Sequence, residues 1–278
     1  MRGSVDGLVL REWQTGENDK LLSVLTAEYG KIRVCAKGAR SVKSRIAPLC
    51  RPFTYANFEF YEKNKMRWLS GGSVTDSFFG LHSDIEGFAL AAYVLEVADE
   101  ITGEGVDGAE VLRTTLNTLY LIEKNKKPRE IIKGAFELFC AAQSGLAPDL
   151  TSCRECGKEG SEGFCLDVMN GNLLCSSCLA RQGGTGGAAL AVVAEAAATR
   201  HVLLPLSPAV LMAMRYVLGA TPARLFAFDL PEAEDLAFFS RAGEVYLLNH
   251  LERGFDTLQF YHSLKTSEFQ EKGTKEDP

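Results

Sequence analysis

Short apolar runs of β-strand length fill the first eighty residues, and beyond them apolar residues recur at every third or fourth position. In KIRVCAKG at 31–38, Ile32, Val34 and Ala36 alternate with Lys31, Arg33 and Cys35. Period two places the aliphatic side chains on one face of a strand and the charges largely on the other. An apolar run at 21–26, set behind Asp19 and joined to 31–38 through Glu28-Tyr29-Gly30, predicts a β-hairpin, and the run at 4–13 predicts a strand before it. A further strand is expected in PFTYANFEFYEKN at 52–64, and another opening MRWLSGGSVTDS at Met66 and ending at Gly71-Gly72. Phe53 and Tyr55 share one parity and Phe58 and Phe60 the other, so a bulge or bend is expected near Ala56-Asn57. About five short strands in about 75 residues fit a small closed barrel, with the OB-fold the leading candidate because its strand face and loops take oligonucleotides. An SH3-like barrel would give nearly the same pattern. Phe residues at strand positions are read first as core, although aromatic rings in such a barrel can also stack bases.

From Ser83 the period lengthens. Ile85, Phe88, Ala89, Ala92 and Leu95 predict an amphipathic helix capped by Ser83 or Asp84. The loop TGEGVDG follows, and its glycines spell GxGxxG. A dinucleotide fingerprint needs a preceding strand; here a helix precedes it, so the stretch is read as an interhelical loop. Helices are then expected over 109–123, from Pro128 to about Ser144, over the Ala-rich 188–200, from Ser207-Pro208 to Gly219, briefly after Pro231, and over 241–264. GGTGGAAL at 183–190 reads as a flexible connector and 266–278 as a disordered tail. The expected organisation is α+β: a barrel domain at 1–80, a helical domain at 81–265 with a metal module inserted at 150–180, and the tail.

Charge divides the chain unevenly. The whole is acidic, at net −6, yet residues 1–80 hold 13 Lys and Arg against 8 Asp and Glu. No acidic residue lies between Glu28 and Glu59, an interval carrying Lys31, Arg33, Lys37, Arg40, Lys43, Arg45 and Arg51. A basic run in an acidic protein marks a surface for a polyanion, most often nucleic acid. The bland alternative is a solvated basic loop. From Gly38 the strip is expected to leave the strand and enter a mobile loop. A second basic cluster, Lys124, Lys126, Lys127, Arg129 and Lys133, surrounds Pro128.

Cysteine spacing supplies the sharpest local signal. Cys153 and Cys156 form one CxxC knuckle, Cys175 and Cys178 another, with eighteen residues between them. That is the pattern of a structural four-thiolate zinc site. A hairpin with a type I′ turn at Asn170-Gly171 would bring the second knuckle back to the first. Four protein ligands leave no open position, which points to structure and away from catalysis. Cys35, Cys50, Cys140 and Cys165 fit neither knuckle. The four histidines stand beside no catalytic motif, and no Walker lysine, HExxH or nucleophile elbow occurs, so a non-enzymatic protein is expected. No window is long and apolar enough to span a membrane, and the start lacks the apolar run of a signal peptide. A cytosolic protein is expected.

The run GLVLREWQTGENDKLLSVLTAEYGKIRVCAKGARSVKSR, then PFT, then GLAPDLTSCRECG, resembles the bacterial RecO family of recombination mediators, and LLNHLERGFDTLQFY is similar to that family's C-terminal helix. The resemblance covers nearly the whole chain. It implies an OB-fold, a helical domain with a zinc module, and a binding function. The expected partners are single- and double-stranded DNA, RecR and the acidic C-terminal tail of single-strand-binding protein. The expected activities are strand annealing and loading of RecA onto DNA coated with that protein. The family's basic barrel residues carry over to Lys37 and Arg40, then to Lys31, Arg33, Lys43, Arg45 and Arg51. Its contact with the acidic tail carries over to Lys133 with Arg129. The rival reading is a zinc-ribbon adaptor for RNA or protein partners.

Overall fold

Five strands close into a barrel: β1 (Arg2–Thr15), β2 (Asp19–Thr26), β3 (Gly30–Ala36), β4 (Tyr55–Lys63) and β5 (Met66–Asp76), in the order β1-β2-β3-β5-β4. β4 pairs back onto β1, and β3 meets β5 in a short parallel contact. This is the OB-fold. The computed structural model describes residues 2–181 and 202–273, with side chains at 2–181 and 202–265. The alternation expected in β3 is present: Ile32, Val34 and Ala36 join Val5, Val9, Leu22, Val24 and Phe58 in the barrel core. The irregularity expected near Ala56-Asn57 lies one bond earlier, as a register shift between Tyr55 and Ala56 in the β4–β5 pairing.

The remaining elements are α1 (Ile85–Ile101), α2 (Ala109–Glu123), α3 (Arg129–Gln143), β6 (Asp149–Cys153), β7 (Phe164–Asp167), β8 (Asn172–Cys175), α4 (Ser176–Arg181), β9 (Leu203–Leu206), α5 (Pro208–Gly219), α6 (Ala233–Leu251) and α7 (Asp256–Gly273). Ser207 caps α5 as its sequence suggests, its Oγ accepting the Val210 N–H at 3.1 Å. The single helix expected over 241–264 is two. Glu252 adopts a left-handed φ of 50°, and the chain turns through Gly254 before α7 begins. The helix expected after Pro231 is correspondingly long. α7 continues to Gly273, so the disordered tail expected from 266 is helical for most of its length; TSEFQEKG contains good helix formers and no proline. The connector at 183–190 and the helix at 188–200 lie outside the described residues.

By compactness the chain forms two units, Met1–Lys126 with Phe255–Pro278, and Lys127–Gly254. In the first, α1 packs against β1, α2 and α7. The GxGxxG loop is indeed interhelical, and its glycines have a backbone task. Gly108 N–H bonds Ala27 O, Gly105 N–H bonds Tyr29 O, and Gly103 O accepts from Lys31 N–H, all within 3.0 Å. A Cβ on Gly30 would come within 2.5 Å of Gly103 O. The loop therefore lies against the β2–β3 turn at a distance only glycine permits. In the second unit, α3 and α6 approach at Gly134 and Gly243, where a Cβ on Gly243 would meet Gly134 O at 2.9 Å. The sheet β6-β8-β7-β9 completes that unit.

Candidate nucleic-acid interface and metal centre

The seven cations of the basic run do not form one equivalent strip. Lys31 points from β3 toward α1, where its ammonium donates to Asp99 O and sits 3.5 Å from Asp99 Oδ1. Asp99 also accepts from Ser23 Oγ at 2.5 Å. Arg33 faces Glu104 of the interhelical loop, Nε to Oε1 at 3.6 Å. Both are therefore partly neutralised by their own unit. Lys37, Arg40, Lys43, Arg45 and Arg51 are exposed, and among the described residues none lies within ion-pairing distance of a carboxylate.

The segment carrying those five is held in place. Arg40 Nη1 donates to Glu17 O at 2.8 Å, Arg40 N–H to Asn18 O at 3.0 Å, and Gly38 N–H to Asp19 Oδ1 at 2.7 Å. Ser41 N–H bonds Gly38 O and Ser44 N–H bonds Ser41 O, so the chain proceeds by successive turns. Ala39, Leu49 and Cys50 drop into the barrel core. The loop expected to be mobile is thus pegged at both ends. The backbone that carries the cations is pre-positioned, and the Arg40 guanidinium with it, which lowers the ordering entropy that an anion must otherwise overcome.

Trp13, not singled out in the sequence, lies beside Arg33 of the basic run. Arg11 and Arg33 place their guanidinium carbons 5.2 and 5.9 Å from the centroid of the Trp13 ring. The alternation of Arg11 with Trp13 on one parity of β1 was the available signal.

The second basic cluster behaves differently. Lys133 is only 2% exposed, with its Nζ 2.8 Å from Glu137 Oε1 and 2.5 Å from Glu244 Oε2. As placed, it presents no charge to an acidic partner, which corrects the expectation drawn for it. The sequence signal was Glu137, four residues on and on the same helical face. Arg129 is half-buried in the first turn of α3.

The two knuckles meet as their spacing requires. The sulfurs of Cys153, Cys156, Cys175 and Cys178 all lie within 4.8 Å of one another. Cys153 ends β6, Cys175 ends β8, and Cys178 sits in α4. The hairpin that returns the second knuckle uses four residues, 168–171, between Asp167 and Asn172. Only Gly171 there has a positive φ, so the type I′ turn does not form; Asp167 instead accepts from Asn170 N–H and Nδ2. Cys156 Sγ and Cys175 Sγ are 3.7 Å apart. A tetrahedral ion with metal–sulfur bonds of about 2.3 Å requires sulfurs about 3.8 Å apart. The site fits such an ion. Burial alone would raise the Cys153 thiol, yet N–H groups of Cys175, Cys156 and Glu155 directed at its sulfur bring it down to about 6. N–H donation from Cys178 likewise lowers Cys175. Burial pushes Cys178 up to about 12, against the pull of Arg181, whose Nη2 donates to its sulfur at 2.7 Å. Backbone donors aimed at thiolates suit a soft divalent ion.

Known families agree with this geometry. The family model described as "Recombination protein O N terminal" matches residues 1–78, and "Recombination protein O C terminal" matches 82–259. The chain belongs to the RecO family. It is 34% identical over 173 residues to the DNA repair protein RecO of Alkaliphilus metalliredigens, covering 62% of this chain and 70% of that protein. It is 26% identical to the DNA repair protein RecO of Acetivibrio thermocellus over 259 residues, 93% of this chain and 95% of that protein. The corresponding protein of Listeria monocytogenes serotype 4b is 32% identical over 173 residues, 62% and 67% of the two chains. The RecO resemblance seen in the residues is thereby established. Among the described residues no helix is long and apolar enough to cross a membrane.

Proposed function

We propose that this chain binds single- and double-stranded DNA through Lys37, Arg40, Lys43, Arg45 and Arg51, with Lys31 and Arg33 contributing through the electrostatic field of β3. The observation that carries this reading is the set of five exposed cations, without a carboxylate in ion-pairing distance among the described residues, on a backbone-anchored segment of an OB-fold in an otherwise acidic protein. Cations neutralise phosphates and release condensed counterions, a gain independent of sequence. Two strands held on one cationic surface repel each other less, which gives a physical route to annealing. In this reading the protein, together with RecR, loads RecA onto DNA covered by single-strand-binding protein, in the cytoplasm at the nucleoid. The acidic tail of that protein binds the helical part of the chain at residues other than Lys133.

The four thiolates hold one zinc ion, whose contribution is folding energy, since metal bound only by the folded knuckles stabilises them. With all four ligands from protein, the ion has no position for substrate, and the work proposed for the chain is binding, with no bond made or broken.

The test is annealing of complementary strands precoated with single-strand-binding protein. Acceleration by the wild type that disappears in a Lys37→Glu, Arg40→Glu variant of unchanged fold supports the reading. Equal rates with and without the protein oppose it and return the adaptor alternative.

A further inference from the structure

We propose that an apolar row on the outside of the barrel, ending in Trp13 and Trp68, stacks the unpaired bases of a single strand and so distinguishes it from duplex. The proposal rests on the nucleic-acid reading above and adds to it a base-contacting surface.

The pairing register defines the row. Trp13 lies opposite Leu21, Leu21 opposite Cys35, and Cys35 opposite Trp68. Residues directly opposed on neighbouring strands project from the same face. The adjoining residues Leu22 and Val34 fill the barrel core, so this row lies on the outer surface. All four of its members are half-buried. Three inter-strand spacings of about 4.8 Å give the row a length of about 14 Å. That is too long for one base, so the two indoles serve different nucleotides.

Charge identifies the occupant. Arg11 and Arg33 flank the Trp13 ring on one side of the row. On the other, β3 ends at Ala36 and the chain continues through Lys37 into the turn bearing Arg40. An apolar band between two sets of cations fits a polyanion that carries flat apolar faces, which is single-stranded nucleic acid. Stacking tolerates any base because every base has a π-face, and the neighbouring guanidinium groups add to it. A duplex keeps its bases paired inside and reaches only the cations.

The chain contains two tryptophans, so Trp68→Phe leaves Trp13 as the sole indole reporter. Titration of that full-length variant with oligothymidylate is expected to quench its emission, and titration with a blunt duplex of equal length to leave it unquenched at saturation. Trp13→Leu is expected to weaken oligothymidylate binding about tenfold and duplex binding less than twofold, with Trp13→Phe restoring most of the loss. Equal weakening toward both ligands, equal quenching by both, or no quenching at saturating single strand overturns the proposal. If Trp13→Leu does not fold, as judged by circular dichroism, the quenching experiment decides alone. Binding that is lost in the Lys37→Glu, Arg40→Glu variant while Trp13 stays unquenched overturns only the stacking surface. Absence of binding by the wild type overturns the underlying reading with it.

Discussion

Arg33 on β3 and Glu104 in the interhelical loop face each other across 3.6 Å, Nε to Oε1, and the backbone of the same loop is bridged to β3 at Gly30. The acidic group is therefore fixed beside the cation by main-chain hydrogen bonds. Both side chains are well exposed, at 59% and 62%, so the pair contributes little to stability. Its consequence lies in binding, because a phosphate must compete with Glu104 for Arg33. Glu104→Gln is expected to raise affinity for a DNA oligonucleotide about two- to threefold at low salt, an effect that shrinks as salt screens the pair. Fluorescence anisotropy at two ionic strengths reads this directly; unchanged affinity at both would show that Arg33 takes no part.

Lys133 should act on stability alone. Its removal takes the ammonium away from Glu137, which is fully buried, and from Glu244. Losing one member of a buried ion network costs about 3–5 kcal/mol. Lys133→Ala is expected to lower the urea midpoint strongly, and any fraction that remains folded should bind DNA as the wild type does. A small stability change with a lost partner interaction would reverse this assignment.

Metal removal should unfold the module at 150–180 locally. Cys153→Ser with Cys156→Ser, or a strong chelator, is expected to abolish bound zinc and lower the melting temperature more than DNA affinity. Acid should act in the same direction. Cys153 has a folded-state proton affinity depressed to about 6. The stability it contributes is therefore fully present only above the ordinary thiol range, and it is lost as pH falls through about 6. Protons compete with the metal for the same sulfur, so zinc release on acidification, followed with a chromogenic chelator, should track that loss. Zinc retained unchanged well below that range would contradict the four-thiolate assignment.

The GxGxxG loop offers a purely structural check. Gly30→Val would drive a side chain into Gly103 O and Val106 from a left-handed backbone, and is expected to destabilise by about 2–4 kcal/mol. A denaturant titration of wild type and variant measures it.

Strand alternation and knuckle spacing were legible in the residues because each depends on a local period or a fixed separation. The barrel, its basic β3 and the four-cysteine cluster follow from those. Tertiary facts were hidden. Nothing local in 241–264 marks Glu252 as left-handed, since Gly254 alone is a weak break in an apolar helical pattern. Lys133 looked like a surface cation until the approach of α6 at Gly243 brought Glu244 to it. The basic run looked uniform, because the carboxylates that neutralise Lys31 and Arg33 come from α1 and the loop after it, more than sixty residues away. Trp13 was passed over because its value depends on which strands lie beside it.

The central claim is that the exposed cations of 37–51 hold DNA through its phosphates. It is tested most directly by the salt dependence of binding to a single-stranded oligonucleotide, wild type against Lys37→Ala, Arg40→Ala. Each phosphate contact contributes about 0.7 to the slope of log affinity against log salt for single strands. The variant should bind more weakly and show a slope shallower by about 1.4, from two lost contacts. An unchanged slope and affinity in a correctly folded variant would place the DNA site elsewhere on the molecule.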